Sequence, residues 1–178
     1  MVIYRHKDKY SISEMCRFFA VSRSGYYDYV KRMDTLAWDL PIIRDLYDNS
    51  IVAYKMGTEQ NINLVLSTIR AAKKKEKVTA ELQLHSDQGF QYTSQAYYSL
   101  TESYHITPSM SRRGNPYDNA LAEKFFSILK TECIYRTKIR TYKEARLLID
   151  QYIQFYNNER IQLKTKLTPL EKRCQFVG

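Results

Sequence analysis

The sequence predicts an α/β fold, a sheet with helices packed on it, and three observations point there. Ile62, Val65, Leu66 and Ile69 recur at the spacing of one helical face. Leu82 and Leu84 alternate with polar residues in a short strand that runs straight into Asp87 and Gly89. The predicted elements, read from residue 41 onward, follow the order β-β-α-β-α-β-α-α.

Taken in order, YSISEMCRFFAVSRSGYYDYVKR (10–32) reads as two short helices about a tight turn. Ser11 or Ser13 is placed to cap the first, and Met15, Phe18 and Phe19 form its apolar face. The second carries Arg23, Lys31 and Arg32, so residues 1–33 form a helix-turn-helix-like segment with Arg23 as a candidate DNA contact. Residues 34–40 have no clear period and form a junction, and 41–178 form the core. Two β runs, Ile42–Leu46 and Ile51–Met56, flank a Tyr-Asp-Asn-Ser turn. A helix over 58–77 ends in lysines, which suit the negative end of its dipole. A helix over 94–104 and a strand at 106–110 come next, then a basic loop, SRRGNPYDN, in which Arg112 and Arg113 are candidate DNA-backbone contacts. Asn119 is expected to cap the helix ALAEKFFSILKTECI, and a long helix over 141–160 buries Ala145, Leu148, Ile149, Tyr152 and Tyr156.

A formal charge of +9 favours a polyanionic partner, since neutralised phosphates release counterions. The three cysteines are scattered and odd in number, which argues against a disulfide framework or a zinc site and for a reducing cytoplasm. The start is charged and unlike a signal peptide, and no run of residues is apolar enough to span a bilayer, so no membrane partner is expected.

Asp87 admits two readings, a turn former or a metal ligand at the rim of a sheet, where ligands of α/β folds gather. Thirty-five residues separate it from Glu123, a spacing without meaning on its own among 19 acidic residues. The flanking strings carry more. HSDQGFQYTS, SMSRRGNPYDNALAEKFFSILKTE and YIQFYNNERIQLKTKLTPLEK together resemble the integrase-type transposases of bacterial insertion sequences. That resemblance implies a ribonuclease H-like core with an Asp-Asp-Glu triad, in which Asp87 corresponds to the second aspartate and Glu123 to the glutamate. Both would be catalytic and metal-binding, with Mg2+ or Mn2+ as cofactor. Lys130 corresponds to the basic residue that follows, seven residues on and on the same helical face. The implied reaction is metal-dependent DNA cleavage and strand transfer, an in-line displacement that hard carboxylate-bound ions suit. His85 reads as a loop or outer residue rather than a ligand.

The family's first aspartate has no counterpart. Asp39 is followed at once by Leu-Pro and the next strand, with no room for the two-residue turn a preceding hairpin strand needs. Asp34 lacks an apolar strand before it, and Asp45 matches a position outside the triad. The resemblance therefore implies an incomplete core without its first strand, impaired in cleavage. The expected partners are DNA, at transposon ends and target, with self-association or association with full-length transposase. A non-catalytic DNA-binding or oligomerising regulator and a decayed reading frame are the alternatives.

Overall fold

The computed structural model describes residues 2–27, 38–76, 81–112 and 116–175, with backbone alone at 4, 5, 116–119 and 121. The chain divides into two units, Met1–Ala37 and Trp38–Gly178.

In the first unit, α1 (Val2–Arg5) and α2 (Ile12–Phe18) precede a helical stretch at 23–27. Ile3, Met15, Cys16 and Tyr26 are buried together, with Ile12 and Val21 against them. The buried face of α2 is therefore 12, 15 and 16, an i, i+3, i+4 set. Phe18, expected on that face, is 83% exposed because it lies on the opposite side of the turn, and Phe19 is exposed beside it. Lys31, Arg32 and Asp34 lie outside the described residues.

The second unit opens with a hairpin. Strands β1 (Ile42–Arg44) and β2 (Ile51–Tyr54) pair antiparallel, and an isolated bridge between Asp39 and Gly57 continues the same register. Both strands are shorter than expected, β1 because Asp45 begins the turn: its Oδ1 accepts the N–H groups of Tyr47 (2.7 Å) and Asp48 (3.2 Å). Helix α3 (Ile62–Lys75) follows, capped by Asn61, whose side chain accepts the Leu64 N–H. Strand β3 (Leu82–Ser86) then pairs in parallel with β4 (Ile106–Met110), and α4 (Gln95–Ser103) makes the crossover between them. The sheet is thus two separate two-stranded pieces, β1–β2 and β3–β4.

Helix α5 runs Pro116–Glu132, four residues longer at its start than expected. Pro116 suits a first helical position, where no N–H is needed, so Asn119 lies inside the helix and not at its cap. A 3-10 turn at Ile134–Arg136, α6 (Tyr142–Asn158) and α7 (Pro169–Cys174) complete the unit, the last with a capping box between Thr168 and Glu171. Two apolar clusters hold these elements. Ile51, Phe125, Leu129, Ile149, Ile153 and Tyr156 tie the hairpin to α5 and α6. Val65, Leu66, Ile69, Tyr97 and Ile106 tie α3 and α4 to the parallel pair.

Glu132, at the end of α5, accepts both Arg160 guanidinium bonds (2.8 and 2.7 Å) and the Tyr152 hydroxyl (2.8 Å). Arg160 first, and Tyr152 with it, hold its carboxyl below the ordinary value, against the opposing pull of burial. A depressed carboxylate pKa stabilises the fold above the unfolded value of 4.5 and loses that contribution as pH falls through the lowered folded value. Urea midpoints measured across that acid window should therefore fall faster for the native chain than for Glu132→Gln. Parallel acid limbs would show that the pair contributes nothing.

Candidate functional site

The two halves of the sheet face a common cleft of about 660 Å3. Residues on β1 and its lead-in border one side and residues on β3 the other, while α3 and α5 contribute from the two faces. Asp87, Glu123 and Lys130 all line it, and so does Asp39.

Asp87 is the first residue after β3, exposed where the strand ends. Its Oδ1 accepts the Gly89 N–H at 2.9 Å, so the turn-forming role is real, and it fixes the carboxylate at the cleft rim. A Cβ at Gly89 would sit 2.9 Å from both Asp87 Oδ1 and Gln91 Oε1, so a larger residue there would push these side chains aside. Glu123 and Lys130 project from α5 as exposed side chains, and both reach the cleft as their seven-residue spacing predicts. Between them Phe125 and Leu129, 2% and 0% exposed, face the core. One helix thus carries its anchor on one face and its polar groups on another.

His85 belongs to strand β3 rather than to a loop. Its Nδ1 pairs with Ser109 Oγ (2.9 Å) and its Nε2 with Ser111 Oγ (3.0 Å), so both ring nitrogens are committed to β4 and the residue just beyond it. Arg112 is exposed beyond that strand, and Arg113 lies outside the described residues. Arg23 is exposed in the first unit.

Asp39 is the residue sequence reasoning set aside. Its bridge to Gly57 places it on the line of β1, not on an earlier strand. Its side chain nevertheless borders the same cleft as Asp87 and Glu123. Partial burial raises its pKa, offset by a hydrogen bond from the Leu40 backbone. Nearby, the Tyr92 hydroxyl is pushed up to about 12, by burial first and then by the charges of Asp87 and Asp39. The signal available in the sequence was the ladder register, which Asp39 and Gly57 extend.

Carboxylate oxygens are the donors magnesium takes, and Asp87 and Glu123 both bring one to the border of the cleft. An ion pair needs more. Among the described residues no three His, Cys, Asp or Glu side chains group closely enough to hold a metal. The donor types fit and their number does not, so the described residues alone do not supply a two-ion centre.

Gln162 donates to the Asp48 carbonyl (2.7 Å) and accepts from Asn49 Nδ2 (2.7 Å). It fastens the β1–β2 turn, which lies outside the cleft.

Comparisons with known proteins fit this geometry. Two models described as integrase core domains match residues 35–116 and 104–161. InsK, the transposase named for insertion sequence IS150 in Escherichia coli K12, is 40% identical over 136 residues, 76% of this chain and 48% of its own length. The chain spans about half the length of the curated relatives it matches. Among solved structures, a simian T-cell lymphotropic virus intasome bound to a PP2A regulatory subunit superposes with TM-score 0.56 at 16% identity, covering 75% of this chain and 52% of that one. The HTLV-2 integrase catalytic core in complex with magnesium, in a trimeric form, gives TM-score 0.54 at 15% identity, covering 75% and 93%.

Proposed function

Because the chain belongs to the integrase-core family of insertion-sequence transposases, with a ribonuclease H-like fold, we propose that it is a DNA-binding protein derived from such a transposase and impaired in strand cleavage. One observation carries the reading: Asp87, Glu123 and Lys130 share a cleft that Asp39 also borders, yet no three carboxylates come close enough together to hold a metal ion among the described residues. In the family's reaction, cutting of a phosphodiester and its transfer to new DNA, divalent ions activate the attacking oxygen and stabilise the leaving one. Here Asp87 and Glu123 would hold Mg2+ or Mn2+ with DNA phosphate oxygens completing the shell. Lys130 would place a cation against the backbone, and Arg112, Arg113 and Arg23 would add phosphate contacts.

Net charge supports the partner. A surplus of nine cations draws a polyanion, and each neutralised phosphate steepens the salt dependence. No helix among the described residues is long and apolar enough to cross a membrane. A regulator that binds DNA or full-length transposase without cutting is the second reading, favoured by the unjoined halves of the sheet.

The test is a transposon-end duplex with Mg2+ or Mn2+. Binding should weaken as salt rises, and the variant with both Arg112→Ala and Arg113→Ala should flatten that slope by about one unit per lost phosphate contact. An unchanged slope would reassign both arginines to solvent. Cutting should stay near background. Robust nicking that disappears in Asp87→Asn and in Glu123→Gln would overturn the claim of impairment.

A further inference from the structure

The cleft has a second property, set by the backbone around it. On the β1 line, Asp39 exchanges both peptide bonds with Gly57 (2.9 and 3.0 Å), and the Pro41 carbonyl accepts from Lys55 (3.3 Å). Peptide groups alternate between the two edges of an antiparallel strand, so Leu40 and Ile42 direct theirs away from β2. On β3, the Ser86 carbonyl accepts the Ser111 N–H (2.9 Å), which turns Ser86 toward β4 and the peptide groups of His85 to the opposite edge. Leu40, Ile42 and His85 all border the cleft. The Leu40 N–H already donates to the Asp39 carboxylate. With the Leu40 carbonyl and both peptide groups of Ile42 and His85, two strand edges still present N–H and C=O groups to one space, and no backbone hydrogen bond joins the two sheets among the described residues.

The walls complete the description. Val65 and Ile69 of α3 line one face, and Phe126 of α5 another. At the rim Asp39, Asp87 and Glu123 outnumber Lys130. An extended peptide is the ligand class whose backbone satisfies two rows of main-chain groups together. Helices over both faces of the gap call for apolar side chains on both faces of that peptide, and the acidic rim calls for a cation at one end.

We propose that the cleft accepts an extended strand from a second polypeptide, apolar on both faces and basic at one end, which pairs with β1 and β3 and joins the halves into one sheet. A second copy of this chain is the poorer donor, because each described strand already pairs within its own sheet and would have to leave it. This inference does not depend on whether the chain cuts DNA.

Fluorescence anisotropy with the intact chain tests it, using a labelled synthetic peptide Lys-Val-Ile-Val-Thr-Val. Two control peptides complete the set: the same sequence N-methylated at alternate residues, and one with Glu in place of Lys. Saturable binding of the first is expected, with N-methylation weakening it about tenfold or more, the scale of two or three lost backbone hydrogen bonds. The Glu peptide should also bind more weakly, and the gap should narrow in Asp39→Asn, whose fold is checked by circular dichroism. No binding of the parent peptide, or equal binding of the parent and N-methylated forms, overturns the proposal. So does a chain that sediments as a dimer which the peptide fails to dissociate, since the edges would then belong to a second copy.

Discussion

Arg173→Ala is expected to lower stability by about 3 kcal/mol, at the lower end of what breaking a buried ion pair costs. The guanidinium reaches three carboxylates: Nε to Asp48 at 2.6 Å, NH1 to Glu76 at 2.6 Å and NH2 to Asp45 at 3.5 Å. Asp48 decides the magnitude. Its side chain is only 2% exposed, so removing the arginine strands a charge that water cannot reach. The surviving bond from the Ser50 N–H to Asp48 Oδ1 (2.6 Å) keeps the loss from being larger. Arg173→Lys should recover only part of it, because an ammonium cannot fork to several carboxylates at once. Urea unfolding of the three proteins checks this, and a loss under about 1 kcal/mol for the alanine variant would class the cluster with ordinary surface pairs.

That cluster also shows where sequence reading stops. Periodicity located α3 from Ile62, Val65, Leu66 and Ile69, and alternation with turn residues located β3 and β4, since those signals are local. That Glu123 and Lys130 share one helical face, with Phe125 and Leu129 inward, followed from spacing, whereas their choice as site residues came from the family resemblance. Contacts made across more than a hundred residues left no such trace. Arg173 meets Asp48 across 125 positions, and Asn157 brackets Ile51 by accepting its N–H (2.8 Å) and donating to its carbonyl (3.0 Å) across 106. Neither Asp48 nor Asn157 differs in the sequence from a solvated polar residue. Asp39 failed for a related reason: its nearness to the cleft depends on how β1 and β3 are arranged, which no local pattern records.

Phe125→Ala and Glu123→Gln, two positions apart on α5, should separate folding from chemistry. The Phe125 ring is 2% exposed and meets Tyr156 edge to face, with centroids 5.0 Å apart. Truncating it leaves a cavity among Leu129, Ile153 and Tyr156, and such changes cost about 3–5 kcal/mol. Because the same helix carries Glu123 and Lys130 to the cleft, a loosened anchor should also weaken binding of the end-bearing duplex in Mg2+. Glu123→Gln removes a carboxylate from an exposed position, so its stability should stay within about 0.5 kcal/mol of the native chain. Its mark should be confined to the Mg2+ dependence of duplex binding, which it should flatten. Urea midpoints and binding isotherms with and without Mg2+, taken on both variants, make the distinction. Large destabilisation by Glu123→Gln would mean that its side chain serves the fold rather than the cleft.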